Sequence, residues 1–160
     1  MTINVGDRIP NVTLYHMTEN GPAPISTNDV FKGRKVVLFA LPGAYTPTCS
    51  AKHLPGFVAK ADEIKAKGVD TIVCLSVNDA FVMGAWGKDQ NVGDKVLMLA
   101  DGSGELTKAL DLELDLMSRG MGVRSDRYAM IVDDGVVTLL NHEAPGAFEV
   151  SSAEKILQAL

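Results

Sequence analysis

The chain has 160 residues, 46% of them hydrophobic and 22% charged, a balance that suits one globular domain spanning residues 1–160. A net charge of −5 with scattered basic residues excludes the dense basic patch that nucleic acid requires, and no apolar run approaches the ~18 residues of a membrane span. Two cysteines outside any C-x-x-C pair and three histidines far apart exclude a disulfide framework and leave no metal or other cofactor to expect.

The opening MTINVGDRIPNV lacks the charged-then-apolar profile of a secretory signal, so a cytoplasmic protein is expected. KVVLFAL (35–41) is a short β-branched apolar run bounded by breakers, which predicts a buried strand. In SAKHLPGFVAKADEIKAKG, Leu54, Phe57, Val58, Ala61 and Ile64 recur at helical spacing until Gly68 stops the helix. Pro55 has no N–H to donate, so it must kink that helix or delay its second part. VDTIVCLSV (69–77) predicts a second buried strand, NDAFVMGAWGKDQ a helix capped by Asn or Asp, and VLMLA (96–100) a short strand.

DGSGELTKALDL reads as a turn and short helix, and SRGMGVRSD (118–126) as a glycine-rich loop. RYAMIVDDGVVTLLNHE predicts a hairpin turning at Asp134-Gly135, and Ser151-x-x-Glu154 a capping box before a terminal helix. Alternating strands and helices followed by a hairpin imply an α/β fold with a central mixed sheet and helices on both faces.

The chemistry concentrates where the first apolar strand ends, in LPGAYTPTCSAKHL. Thr46 suits a helix N-cap and Pro47 the first helical position, which puts Cys49 in the first turn. The unpaired N–H groups and dipole of a helix start favour negative charge, and thus the nucleophilic thiolate. A free cysteine is also often a small buried hydrophobe, and position alone does not exclude that reading. His53, four residues on, would share the face of a regular helix with Cys49, as a hydrolase-type Cys–His pair requires. Pro55 distorts that turn and no orienting Asn or Asp is identifiable, so His53 is expected to pack beside the site.

The Pro-x-x-x-Thr-x-x-Cys pattern of Pro42, Thr46 and Cys49 resembles the active-site motif of peroxiredoxins. The flanking KHLPGF, SVNDAFVM-x-AW and RYAMIVDDG resemble the type II subfamily, nearly end to end. That resemblance implies a thioredoxin-like fold and reduction of hydrogen peroxide and alkyl hydroperoxides by Cys49 as peroxidatic cysteine. It implies that Thr46 positions peroxide and sulfur, that Pro42 shields the thiolate, and that Arg127 stabilises it. The Cys49 N–H is a further candidate donor. Arg127 opens the RYAMIVDDG segment, and Arg124 in the loop before it competes for the role.

Some type II enzymes carry a resolving cysteine near the C-terminus, where this chain reads EVSSAEKIL. An internal disulfide of that type is ruled out, and Cys74, in an apolar strand, reads as inert filling. The implied reductant is therefore an external thiol, glutathione with or without glutaredoxin, with thioredoxin the alternative. The resemblance also implies a homodimer, with Tyr45, part of AFVMGAW and the region near Met117 at its interface; the competing reading of AFVMGAW is core packing. The alternative function is an oxidant-sensing or chaperone-like thioredoxin-fold protein, and a noncatalytic interaction module is a third reading that could dispense with the motif.

Overall fold

The computed structural model describes residues 1–160. It contains nine strands: β1 (Thr13–Thr18), β2 (Gly21–Ser26), β3 (Lys35–Ala40), β4 (Thr71–Ser76), β5 (Leu97–Ala100), β6 (Glu113–Leu116), β7 (Gly122–Ser125), β8 (Tyr128–Asp133) and β9 (Val136–His142). Five α-helices accompany them: α1 (Thr27–Phe31), α2 (Leu54–Ala66), α3 (Ala80–Asp89), α4 (Glu105–Ala109) and α5 (Ala153–Ala159). None is long and apolar enough to cross a membrane.

Seven strands build the central sheet in the order β2-β1-β5-β4-β3-β8-β9. β3, β4 and β5 run parallel, whereas β1, β8 and their outer neighbours β2 and β9 add antiparallel pairings. The three parallel strands are the apolar runs, because a strand covered on both faces has no polar side to present. Alternate residues divide between two cores. Val37, Phe39, Ile72, Cys74, Ala129 and Ile131 face α2, α3 and α5, and Val36, Leu38, Val73, Leu75, Met130 and Val132 face α1 and α4. This is the thioredoxin-like α/β architecture with helices on both faces of a mixed sheet.

The β8–β9 hairpin turns at Asp134 and Gly135, whose positive φ angles of 48° and 82° are those a two-residue type I′ turn demands. Asp79 caps α3 by accepting a hydrogen bond from Val82 N at 2.8 Å.

Several elements differ from the sequence reading. The β1–β2 hairpin and α1 were not anticipated, because GPAPIS carries two prolines and little apolar alternation. β2 accommodates them as an edge strand, where a missing N–H costs nothing. The segment 118–126 is not wholly a loop, since β7 pairs with β6 as a separate two-stranded ribbon. The last helix is capped by Ser152, which accepts from Lys155 N at 3.3 Å, rather than by Ser151. Ser151 is instead buried against Glu143.

Candidate active site

β3 delivers the chain to Pro42 at the edge of the core, and a tight loop then reverses it into a helix. Thr46 O accepts the first helical hydrogen bond, from Ser50 N at 2.9 Å, so Thr46 is the N-cap and Pro47 the first helical residue. Cys49 is thus the third helical residue, and its N–H belongs to the group with no intrahelical acceptor. The Thr46 hydroxyl does not cap the helix. It donates back to Gly43 O at 2.7 Å, which leaves its lone pairs free. A side chain at Gly43 would crowd this corner: a Cβ would sit 2.9 Å from Arg124 Nη1 and 3.3 Å from Thr46 Cγ2, so both would have to shift.

Pro55 shapes the turn that carries Cys49. Its nitrogen cannot donate, and its ring would crowd the carbonyl a turn earlier. The chain responds with a widened π turn over Cys49–His53, in which Leu54 N donates to Cys49 O. Such one-turn bulges recur at functional sites. Tyr45 takes a left-handed φ of 64°, a conformation that disfavours side chains, and is held by its hydroxyl on Asp89 at 2.6 Å. Ala44 N donates to Asn78 Oδ1 at 3.0 Å, and Trp86 Nε1 donates to Ser50 Oγ at 3.0 Å. Together these bonds fasten the Cys49 loop to α3 and the end of β4.

Cys49 has no exposed surface. Arg127, in the residue before β8, donates through Nη2 to Cys49 Sγ at 3.1 Å. Its Nη1 meets His53 Nδ1 at 2.8 Å. On the far side of the ring, His53 Nε2 lies 2.9 Å from Ser151 O. A carbonyl only accepts, so Nε2 carries the proton and Nδ1 is the acceptor for Arg127. Burial, and then the Arg127 charge, push the His53 pKa down to about 3, which keeps the ring neutral. Phe39, Phe57 and Phe148 surround it, with ring centroids 5.0, 5.7 and 5.0 Å away.

Arg124 is committed elsewhere, donating from Nε to Met121 O at 2.8 Å and from Nη1 to Pro42 O at 3.4 Å. Of the two arginines, Arg127 is the one on the sulfur. His53 does not pair with the thiol, because Arg127 occupies its Nδ1. Cys74 lies in β4, fully buried, and both cysteines are free. Burial first, then the neighbouring Cys49, push the Cys74 thiol well up.

A cleft of about 570 Å³ opens in front of this group, lined by Pro42, Thr46, Arg127, Leu116 and Met121 among others. A second hollow, about 540 Å³ between β1 and α3, is lined by His16, Met17 and Lys88 and by no residue bonded to Cys49. Chemistry therefore selects the first. The cleft wall includes Thr46 and Arg127, and the Arg127 guanidinium donates to the buried sulfur of Cys49 just behind it, at a helix start, where a nucleophilic thiol is favoured.

Comparison with known proteins agrees with that geometry. The Redoxin family model matches residues 4–157. Peroxiredoxin-2B of Arabidopsis thaliana is 54% identical over 159 residues, covering 99% of this chain and 98% of the relative. The chain belongs to the type II peroxiredoxins. These are thiol peroxidases that act through a peroxidatic cysteine. Reduced Prx3 of Vibrio vulnificus in complex with hydrogen peroxide superimposes with a TM-score of 0.95 at 57% identity, covering 99% of both chains. The chloroplastic peroxiredoxin-2E of Arabidopsis thaliana is 52% identical, covering 99% of this chain and 70% of the relative.

In this peroxiredoxin, the motif and Arg127 were legible in the sequence once the family resemblance was seen. Asn78, Ser50, Ser151, Glu143 and Phe148 were not. Each acts through a bond or contact that spans 34 or more positions of chain, or through another residue, so no local pattern marks them. The one available signal was Glu143, a carboxylate directly after an apolar strand.

Proposed function

We propose that Cys49 is the peroxidatic residue and that an external thiol, glutathione with or without glutaredoxin, completes the cycle. The observation that carries the first part is the 3.1 Å contact from Arg127 Nη2 to Cys49 Sγ, with Arg127 itself lining the cleft. The Cys49 thiolate attacks the terminal oxygen of the hydroperoxide. The S–O bond forms as the O–O bond breaks, giving a sulfenic acid and an alkoxide or hydroxide that takes a proton and leaves as alcohol or water. Arg127 and the Cys49 N–H are donors for the oxygen charge that develops, and the Thr46 lone pairs are free to accept a hydrogen bond from the incoming hydroperoxide. Pro42 contributes an apolar wall that limits water at the sulfur. The apolar Leu114, Leu116, Met121 and Pro145 of the cleft suit an alkyl group on the substrate as well as hydrogen peroxide.

The sulfenic acid then condenses with a thiol, releasing water and leaving a mixed disulfide, and a second thiol attacks that disulfide to regenerate Cys49. The support for an external thiol is that no cysteine follows Cys74, and Cys74 is sealed in the core. Glutathione and glutaredoxin suit a reducing compartment such as the cytoplasm, where free thiols persist; thioredoxin is the alternative donor.

The AFVMGAW segment divides. Met83 and Trp86 are fully buried, while Phe81, Tyr45 and Met117 are 65%, 52% and 64% exposed. Those exposed side chains support a homodimer in which they are covered.

The test is steady-state consumption of hydrogen peroxide and cumene hydroperoxide with glutathione plus glutaredoxin, and separately with thioredoxin, in wild type and Cys49→Ser. Turnover that survives in Cys49→Ser overturns the peroxidatic assignment. Faster turnover with thioredoxin overturns the reductant.

A further inference from the structure

Glu143 comes directly after β9, and its backbone N donates to Arg127 O at 3.0 Å, extending the β8–β9 ladder by one residue. Glu143 as a whole is 6% exposed, and its carboxylate forms no salt bridge. Four donors from the returning chain satisfy it instead. Glu149 N lies 3.0 Å from Oε1 and 2.9 Å from Oε2. Val150 N, Ser151 N and Ser151 Oγ reach Oε2 at 2.9, 2.8 and 2.7 Å. Burial alone would raise this carboxyl, but the bonds from Ser151, Glu149 and Val150 outweigh it and hold the pKa below the usual carboxylate range.

A buried anion is costly unless its bonds fix something the fold needs. What they fix here is Ser151, whose N–H and hydroxyl face Glu143 while its carbonyl accepts from His53 Nε2. His53 in turn accepts from Arg127 Nη1, and the other arm of that guanidinium rests on Cys49 Sγ. The same loop lays Phe148 across both partners, 5.0 Å from the His53 ring and 5.7 Å from Arg127 Cζ. From Ser151 O to the sulfur each link is a single hydrogen bond with a fixed direction, so displacement at Ser151 O is passed on to the guanidinium.

We infer that Glu143 is a positioning residue for peroxide reduction, holding the Arg127 guanidinium on Cys49 through Ser151 and His53. The inference rests on Cys49 being the peroxidatic residue. Glutamine in place of Glu143 keeps the shape but turns an NH₂ toward backbone N–H groups, so one or more of the four donors loses its acceptor. The loop must then shift, and misplacement of a catalytic group by a fraction of an ångström lowers rate steeply.

The test follows sulfenic acid formation by stopped-flow fluorescence of Trp86, the only tryptophan, which is bonded to Ser50 beside Cys49. Glu143→Gln is expected to slow the second-order reaction with hydrogen peroxide about 10-fold. His53→Leu breaks the next link, so the double variant should be no slower than His53→Leu alone. Losses that multiply in the double variant overturn the relay, as does an unchanged rate in Glu143→Gln. The ring ¹⁵N spectrum of His53 supplies a readout that mere loss of stability would not move. Wild type should show protonated Nε2 and bare Nδ1, and Glu143→Gln a mixture of tautomers; a wild-type spectrum overturns the proposal.

If Glu143→Gln does not fold, Ser151→Ala deletes the hydroxyl bond alone and should slow the reaction about 2- to 3-fold with the same spectral change. An unchanged rate and spectrum there overturn it equally. Cys49→Ser run in parallel separates the two failures: reaction surviving in that variant removes the peroxidatic assignment rather than the relay.

Discussion

Arg127 Nη2 donates to Cys49 Sγ at 3.1 Å although the two residues stand 78 positions apart. One comes from a strand start, the other from a helix start, and the sheet brings them together because β8 pairs with β3, the strand that leads into the Cys49 loop. Arg127→Gln keeps a donor but removes the charge and the second arm, so the peroxide step should slow by about 100-fold. Arg124→Gln, which loses only the bonds to Met121 O and Pro42 O, should cost less than about 5-fold. Stopped-flow rates for the two variants decide it; an inverted order would reassign the arginine.

Thr46 offers a separate check, since its hydroxyl proton is committed to Gly43 O and only its lone pairs face outward. Thr46→Val removes those lone pairs at constant volume and should lower kcat/KM for peroxide about 100-fold. Thr46→Ser should retain activity within about 5-fold. Activity kept in Thr46→Val but lost in Thr46→Ser would mean that the methyl group, not the hydroxyl, matters.

Cys74 tests the absence of an internal resolving thiol. A disulfide needs Cα atoms about 4.4–6.8 Å apart with facing Cβ vectors. Cys74 is pinned opposite Phe39 in the parallel β3–β4 ladder, and freeing it means opening the core of the sheet. Cys74→Ser should therefore turn over normally with glutathione and glutaredoxin. It should lose about 1–3 kcal/mol of stability by burying a hydroxyl. Mass spectrometry after one equivalent of peroxide and glutathione should find the adduct on Cys49 alone, and a dominant Cys49–Cys74 linkage would contradict this.

Acid should unfold the protein partly through His53. Its pKa is about 3 when folded and near 6.5 when unfolded, so between those values the unfolded chain binds the extra proton. Stability is complete above about pH 6.5 and falls as pH drops toward 3, by roughly 5 kcal/mol at most from this group. Glu143 adds to the loss at lower pH, below the ordinary carboxylate range, because its folded pKa is depressed. Urea midpoints at pH 7, 5.5 and 4.5 measure the trend. His53→Leu should flatten the upper part of it, and an unaltered slope in that variant would place the titrating group elsewhere.

The elements that could be read from the chain are those whose cause is local. Apolar runs made β3, β4 and β5; helical spacing made α2; Asp79 and the Asp134-Gly135 pair each carry their own cap or turn chemistry. The helix start at Thr46, Pro47 and Cys49 was equally local, and so was the motif that marks the family. The β1–β2 hairpin was not legible, because its proline-bearing edge strand is stable only once β1 has docked on β5. Ser151 was misread for a related reason: a serine before a helix is an ordinary cap until a buried carboxylate claims its hydroxyl.

What the sequence by itself determined is the parallel strands and the β8–β9 hairpin of the sheet, and the helix start that carries Cys49, since backbone propensity and short-range hydrogen bonds suffice for each. The resemblance pointed to Arg127, but only the tertiary structure places it on the sulfur and shows what His53 does. Arg124 and Arg127 are chemically alike and three residues apart, so no local rule separates them. The β6–β7 ribbon turns Arg124 to Met121 O and Pro42 O, while the β3–β8 pairing turns Arg127 to Cys49. His53 owes its role to a turn widened by Pro55 and to a carbonyl 98 residues away, contacts that exist only after the chain has closed on itself.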